Sequence, residues 1–211
     1  VIYVSRKGTM EDRIKNFFAE AAKKTAVLKY KSVELPDDFT EQMLMPYLDS
    51  SKQNLIICGS INEAFGENLL NVIEQSVAYR IVAVGMPTWD GMKQVSTSIN
   101  KNIDIVYSTP FNYTKANKSV ATLANNYKAK FFGRPSDMVY KGYESMYHFA
   151  MLLLKHKGQL TENLTDAEFK FCNEYLLAPV INAENADQVE YLENKKLYFI
   201  TMAQGTVKAV N

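Results

Sequence analysis

The chain has 211 residues, 47% of them hydrophobic, which suffices for one well-packed core or for one domain and part of a second. Its 24 basic and 23 acidic residues leave a net charge of +1, without the basic excess that nucleic-acid binding requires. No apolar run approaches the ~18 residues that a membrane-spanning helix needs.

Short apolar segments alternate with helical patterns in the first half of the chain. Strands are predicted at residues 1–4, 27–35, 55–58, 81–84 and 103–107. Helices are predicted after Thr9, over residues 38–48, and after Asn62, which is a suitable N-cap. Apolar strands that alternate with helices indicate a parallel sheet with both faces covered. The predicted fold is therefore α/β, a doubly wound three-layer sandwich with a parallel five-stranded sheet.

Helices dominate the second half of the chain. An amphipathic helix is predicted at residues 119–132, and a longer helix at residues 137–157 follows a turn. The longer helix is apolar almost all round in its C-terminal half, which is typical of a helix buried on most of its faces. Residues 197–200 and 206–210 predict a closing hairpin.

The chain begins directly on strand-forming residues, Val1-Ile2-Tyr3-Val4, without Met or a signal peptide. We therefore expect a fragment, or a mature chain that has been trimmed at its front. The predicted elements divide it into a Rossmann-like ligand-binding lobe at residues 1–112, a helical return segment at residues 113–180 and C-terminal strands at residues 181–211.

Sequence signatures of common enzyme chemistry do not occur. There is no Gly-rich dinucleotide loop, no phosphate loop and no Gly-x-Ser-x-Gly elbow. The two histidines, His148 and His156, are eight residues apart, whereas a helical zinc pair needs a spacing of four. The chain has two cysteines, Cys58 and Cys172, and the sequence does not decide whether they form a disulfide. The sequence thus predicts no catalytic residue, no metal, no cofactor and no enzyme activity.

One segment carries family information. A helix ending in Tyr127-Lys128 is followed by a turn with Gly133 and Pro135, and then by Gly142-Tyr143 among aromatic and small residues. This order and spacing resembles the return helix of type I periplasmic binding proteins, the superfamily of branched-chain amino-acid-binding proteins and extracellular ligand-binding receptors. The resemblance covers most of residues 1–157 and matches the second lobe of that family, so it implies that the first lobe is absent.

The resemblance implies that a ligand sits between two lobes, against loops at the carboxyl ends of the parallel strands. Parallel sheets bind ligands there because helix N-termini and free backbone N–H groups converge. The candidate ligand-binding residues in these loops are Ser5, Arg6, Ser60, Asn62, Thr88, Trp89 and Phe111. Trp89 either stacks on a ligand or packs locally or at the lobe interface.

Two positions depart from the family pattern. Met10-Glu11 stands where amino-acid binders often carry an aromatic-Gly pair. An acidic residue that holds the ligand's amino group in many relatives aligns near Ala64, with Glu63 one place away. The favoured function is non-catalytic binding of a small polar, amino-acid-like solute by a transport or sensing receptor. The alternative is a degenerate binding lobe with a structural or interaction role.

The resemblance also implies a location in the periplasm or cell envelope, and a membrane transporter or a peptidoglycan-associated module as partner in the parent protein. In this family the helix at residues 137–157 packs against the first lobe. Several apolar side chains on it would otherwise face water, so we expect a homodimer, formed through a two-fold interface or an exchanged segment. Residues 111–117 are the expected hinge of such an exchange.

Overall fold

A computed structural model divides the chain into two compact units. The structure describes residues 1–25, 28–92, 95, 102–111, 117–182, 184–203 and 206–210. The first unit comprises Val1–Thr109 and Tyr198–Asn211, and the second comprises Pro110–Leu197. Residues 181–211, grouped as one C-terminal segment by the sequence analysis, thus contribute to both units. Most of the expected hinge, residues 112–116, lies outside the described residues.

The first unit is built on a parallel sheet. Its strands are β1 (Ile2–Ser5), β2 (Lys31–Glu34), β3 (Gln53–Cys58), β4 (Arg80–Gly85) and β5 (Ile103–Thr109). They pair in the order β2-β1-β3-β4-β5, and each adjacent pair is parallel. The predicted α/β class and its five-stranded parallel sheet are confirmed.

Helices connect these strands. They are α1 (Thr9–Thr25), α2 (Glu41–Leu44) with a 3-10 turn at Met45–Tyr47, and α3 (Glu63–Gln75). The second helix is shorter than predicted because Pro46 has no N–H to donate, and the chain tightens into the 3-10 turn there. β2 is also shorter than the predicted strand at residues 27–35.

The strand order reverses direction beside β1. From β1 the chain moves outward to β2, and then returns to the other side of β1 to form β3. Since crossovers between parallel strands are right-handed, the two connections lie on opposite faces of the sheet. In sheets of this kind ligands bind at such a switch point, in the crevice expected where the two connections diverge.

The core of the first unit lies between the sheet and its helices. β3 and β4 alternate buried and half-buried side chains, as does β5. α3 contributes one continuous buried side, on which Phe65, Leu69 and Ile73 have no exposed surface. Burial of each such side chain contributes about 1.5–3 kcal/mol. This packing fixes the ends of the central strands relative to one another.

The predicted C-terminal hairpin is confirmed and extends the sheet. Its strands are β8 (Tyr198–Ala203) and β9 (Thr206–Val210). β8 runs antiparallel to β5, from the pair Asp104–Ala203 to the pair Thr109–Tyr198. The described sheet thus has seven strands and ends on β9 rather than on β5.

The second unit contains two long helices. α4 (Lys118–Phe131) and α5 (Asp137–His156) match the two predicted helices within a residue or two. After a 3-10 segment, β6 (Leu177–Ile181) and β7 (Val189–Asn194) form a separate antiparallel pair. The sequence analysis did not predict this pair.

One side of α5 is packed around polar groups. Glu144, His148 and Leu152 are fully buried at successive turns of the helix. Glu144 Oε1 accepts hydrogen bonds from Cys172 N at 3.0 Å and Asn173 N at 2.5 Å, and Oε2 accepts from Asn173 Nδ2 at 2.9 Å. His148 Nδ1 contacts the carbonyl oxygen of Phe169. This side of the helix therefore holds the loop that precedes β6.

The opposite side of α5 is exposed. The prediction that this helix is buried on most of its faces is wrong within the described chain, because Met146 and Leu154 are each more than 70% exposed. Among the described residues, no helix is both long and apolar enough to cross a membrane.

Candidate functional site

Six of the seven candidate residues follow three neighbouring strands of the first unit. Ser5 and Arg6 end β1, Ser60 and Asn62 follow β3, and Thr88 and Trp89 follow β4. These strands are parallel and hydrogen-bonded to one another, so all six residues lie at the same edge of the sheet. Four of them, those of β1 and β3, flank the switch point, where a crevice is expected.

Arg6 is held in place by an acidic partner. Its Nε and Nη2 atoms donate to Asp37 Oδ1 at 2.5 Å and Oδ2 at 2.8 Å, a bidentate pair. The hydrogen bond to Asp37 raises the pKa of the guanidinium. Arg6 Nη1 also lies 3.9 Å from Glu11 Oε1. A planar guanidinium fixed in this way offers its remaining N–H groups in a defined direction.

Glu11 is a buried carboxylate at this edge that the sequence analysis did not select. Only 5% of the residue is exposed. Ser60 Oγ donates to Glu11 Oε1 at 2.7 Å, which ties α1 to the end of β3. The other oxygen, Oε2, lies only 2.2 Å from the place where a Cβ at residue 8 would be, so a larger residue there would require the carboxylate to shift.

Ser60 and Asn62 also stabilise the beginning of α3. Asn62 Oδ1 accepts a hydrogen bond from Phe65 N at 2.9 Å, as an N-cap does, and confirms the predicted cap. Ser60 Oγ accepts from Asn62 N at 3.1 Å. Ser60 is fully buried and Asn62 half-buried. The two side chains thus order the loop that joins β3 to α3.

Thr88 and Trp89 lie in a 3-10 turn at Pro87–Gly91, and they differ in exposure. Trp89 has no exposed surface and packs against Gly66 and Gly85, where a Cβ would lie 2.7 and 2.0 Å from the indole. Local packing is therefore the alternative that the structure favours for Trp89. Thr88 is half-buried, and its Oγ1 has no partner among the described residues.

A second polar contact lies at the ends of β4 and β5. Thr109 Oγ1 donates to Asp90 Oδ2 at 3.5 Å. Burial raises the pKa of the neighbouring Tyr107 hydroxyl, and the charge of Asp90 adds to the effect, so this phenol stays protonated. The sequence analysis missed Asp90, Tyr107 and Thr109, because the turn after β4 and the end of β5 come together only in the folded chain.

Phe111 is part of the second unit. It is half-buried, and Lys141 Nζ lies 4.2 Å from the centre of its ring, a cation–π contact. Its relation to the other candidate residues stays a prediction.

The edge of the sheet carries an open recess of about 370 Å³. It is lined by Arg6, Lys7, Glu34, Leu35, Pro36 and Asp37. A larger groove of about 550 Å³ in the second unit lies between α4 and the beginning of α5, and none of the candidate residues lines it. The recess beside Arg6 is therefore the cavity that adjoins the predicted site.

Neither cysteine has the environment of a reactive thiol. Burial raises the pKa of Cys58 to about 11 and that of Cys172 to about 12, so both are protonated at neutral pH. Both are free in the structure. Within the described ranges, no three His, Cys, Asp or Glu side chains are grouped so that they could hold a metal ion.

The parallel sheet, its switch point and the charged groups at one edge define a doubly wound α/β lobe. Comparison with known proteins supports that class through structure alone. No protein-family model matches the sequence, and no curated protein matches it.

Three of the solved structures that share the fold illustrate the similarity. A substrate-binding protein of an ABC transporter from Desulfitobacterium hafniense, in complex with Leu, aligns with a TM-score of 0.58 and 12% identity over 99% of this chain. The leucine-binding protein LivK from Thermotoga maritima aligns with a TM-score of 0.53 and 10% identity over 100% of it. A protein assigned to a branched-chain amino acid ABC transporter from Rhodospirillum rubrum aligns with a TM-score of 0.59 and 12% identity over 99%.

The predicted resemblance to type I periplasmic binding proteins is thus confirmed as a shared fold. The chain spans about 60% of the length of each of these solved structures. The first two are described as binding proteins, not as enzymes.

Proposed function

We propose that this chain binds a small polar, amino-acid-like solute at the carboxyl edge of its parallel sheet, without catalysing a reaction. The observation that carries the proposal is the pair of opposite charges at the switch point, Arg6 and Glu11. A fixed guanidinium suits a carboxylate. The recessed carboxylate of Glu11, whose Oε1 accepts from Ser60 Oγ and lies 3.9 Å from Arg6 Nη1, suits an ammonium group. A zwitterionic solute presents both.

The solved structures that share the fold support the same ligand class. One of them is a complex with Leu, and another is described as a leucine-binding protein. We place the ligand of this chain between the sheet edge and a second lobe, because about 40% of the length of those structures has no counterpart here. We place the protein in the periplasm or cell envelope, as the receptor component of a transport or sensing system with a membrane transporter as its partner.

Calorimetric titration of the chain with a panel of amino acids tests the proposal. Glu11→Gln keeps the shape of the side chain and removes its charge, so it should weaken binding of a zwitterionic solute at least tenfold. Glu20→Gln is the matched control, since Glu20 is exposed on the same helix, and it should leave binding unchanged. No heat with any amino acid, or equal binding by both variants, would contradict the proposal.

The second candidate function is a structural or interaction role for a degenerate lobe, beside a transporter or a peptidoglycan-associated module. It is favoured because the charged groups already have partners within the chain. Arg6 pairs with Asp37, and Glu11 accepts a hydrogen bond from Ser60. Thermal-shift measurements with amino acids, sugars and purines separate the two functions. A receptor is stabilised by its own ligand class, whereas a degenerate lobe is stabilised by none.

A further inference from the structure

The charged side chains beside the switch point do not balance. Arg6 carries one positive charge, and the carboxylates of Asp37 and Glu11 lie 2.5 and 3.9 Å from its guanidinium. The recess beside Arg6 adds one side chain of each sign, Lys7 and Glu34. These described side chains are two bases and three acids, so together they leave one negative charge uncompensated at this edge of the sheet.

The uncompensated charge is concentrated at Glu11, because this carboxylate is buried. Only 5% of the residue is exposed, and its hydrogen-bond donor, Ser60 Oγ at 2.7 Å, is uncharged. Among the described residues, Arg6 is the one basic side chain that pairs with Glu11, and the 3.9 Å between them exceeds both distances from Arg6 to Asp37. Opposite charges attract more strongly away from water, so a solute beside Glu11 gains most if it carries a positive charge.

Asp37 occupies the part of Arg6 that would otherwise hold a carboxylate. Its two oxygens accept from Nε at 2.5 Å and from Nη2 at 2.8 Å, the bidentate arrangement that the carboxylate of a solute would adopt. The remaining nitrogen, Nη1, lies beside Glu11, where a further carboxylate would meet a like charge. Arg6 thus offsets a carboxylate of the solute only in part while Asp37 is in place, and the solute needs positive charge of its own.

The backbone holds Asp37 in this position. Asn68 Nδ2, on α3, donates to the backbone oxygens of Asp37 at 3.1 Å and of Phe39 at 2.9 Å. The loop after β2 is therefore fixed by contacts that do not involve the Asp37 side chain. A substitution of that side chain changes the charge beside Arg6 and leaves these contacts of the loop in place.

We propose that this edge selects solutes of net positive charge, such as basic amino acids, and that Asp37 determines the preference by pairing with Arg6. The inference rests on the proposed function, because it concerns the charge of the same site. A solute with one excess positive charge brings the edge to neutrality, whereas a neutral zwitterion leaves the excess negative charge in place. Asp37 acts through Arg6 and needs no contact with the solute.

Calorimetric titration with arginine and citrulline at low ionic strength tests the preference. The two amino acids are nearly identical in shape, but only arginine has a charged side chain. The natural chain should bind arginine about tenfold more tightly, since hydrogen bonds to charged groups exceed those between neutral groups by that order. Asp37→Asn releases Arg6 and should bring the two affinities close together, mainly by strengthening the binding of citrulline.

The matched control is Asp38→Asn. It removes the same charge one residue further along, at an exposed position, and leaves the bidentate pair of Arg6 and Asp37 intact. This variant should keep the preference for arginine, which separates the effect of the pair from that of charge in general. Circular dichroism shows that both variants are folded.

The outcomes distinguish this inference from the proposed function on which it rests. If the natural chain binds citrulline as tightly as arginine, the charge preference is overturned and the proposed function stands. If Asp37→Asn keeps the full preference, or Asp38→Asn loses it to the same extent, the role of Asp37 is overturned. If the natural chain binds neither compound nor any other amino acid, the proposed function fails and the inference fails with it.

Discussion

At the scale of the residue, the buried carboxylate of Glu144 has the clearest energetic role. Four donors reach Oε1 and Oε2, from the backbone of Cys172 and Asn173, the Cys172 thiol and the Asn173 amide. Glu144→Gln replaces one acceptor by an N–H group that faces a donor. Because an unsatisfied buried donor costs about 1–3 kcal/mol, we expect the free energy of unfolding in urea to fall by that amount. Glu162→Gln, at an exposed position of the same unit, should change it little, and equal effects would contradict this role.

The same carboxylate predicts a dependence of stability on pH. Burial alone would raise the pKa of Glu144, but the hydrogen bonds from Asn173 and Cys172 outweigh it and lower the pKa below its ordinary value of 4.5. A group with a depressed pKa in the folded state stabilises the protein above the ordinary pKa, and that contribution is lost as the pH falls through the folded-state value. The gap in unfolding free energy between the natural chain and Glu144→Gln should therefore narrow as the pH is lowered from 5 toward 3. A constant gap would show that the carboxyl has the same pKa in the folded and unfolded states, and a gap that widens would show that its folded-state pKa is raised.

Gly85 leaves space that Trp89 fills. A Cβ at residue 85 would lie 2.0 Å from the indole ring, inside the fully buried cluster around it. We expect Gly85→Ala to lower the unfolding free energy by about 1–3 kcal/mol through overpacking. Gly91→Ala is the matched control, since nothing lies within 4 Å of its Cβ position. A Gly85→Ala variant as stable as this control would show that the turn carrying Trp89 moves freely.

Residues of the site were predictable where the strand ends alone decide their position. Ser5, Ser60 and Thr88 were selected because each follows an apolar strand, and the structure places all three at one edge. Glu11 was not selected, because its burial depends on Ser60, which lies 49 residues further along the chain. Nor does the sequence reveal that Trp89 turns inward, since that orientation depends on the two glycines beneath it.

At the scale of the element, the beginning of α4 depends on one side chain. Asn117 Oδ1 accepts hydrogen bonds from Ser119 N at 2.9 Å and Val120 N at 3.3 Å. Loss of such a cap costs about 0.5–2 kcal/mol, so Asn117→Ala should lower the unfolding free energy by that amount. Asn117→Ser retains an acceptor and should recover most of the loss. If alanine and serine are equally destabilising, the amide acts through a contact other than the cap.

The elements also differ in how far the sequence determines them. α3 and α5 carry long periodic patterns with a cap residue or a turn before them, and the predicted helices match the observed ones closely. β6 and β7 escaped prediction because Leu177–Ile181 contains Pro179 and Val189–Asn194 has only two residues that are not exposed. A strand with little burial leaves no strong hydrophobic pattern, and pairing with its neighbour decides its structure.

At the scale of the whole molecule, the second unit is an insertion in the chain between β5 and β8, two paired strands of the first unit. The chain leaves the sheet after Thr109 of β5 and re-enters it at Tyr198 of β8, and these two residues are direct partners in the antiparallel ladder. Replacement of residues 110–197 by Asn-Gly would therefore turn β5 and β8 into an ordinary hairpin with a two-residue turn. We expect the shortened chain to fold cooperatively, with the far-ultraviolet spectrum of an α/β protein and a single urea transition.

A control for this replacement removes the partner strand as well. Deletion of residues 110–211 leaves β5 as an unpaired edge beside β4, so this variant should be less stable and more prone to aggregate. An unfolded Asn-Gly chain would show that the sheet needs the second unit to form.

The pairing of Thr109 with Tyr198 has a consequence for how such a protein can change over evolutionary time. Everything between these two residues occupies the position of a hairpin loop, and loops at such positions tolerate insertion and loss with little disturbance to the surrounding scaffold. The sheet and the edge that carries Arg6 and Glu11 can thus be inherited as one module, while the helices and strands of the second unit are exchanged, lengthened or deleted as another. Descendants of one ancestral chain could keep the same recognition edge and differ entirely in what they assemble with.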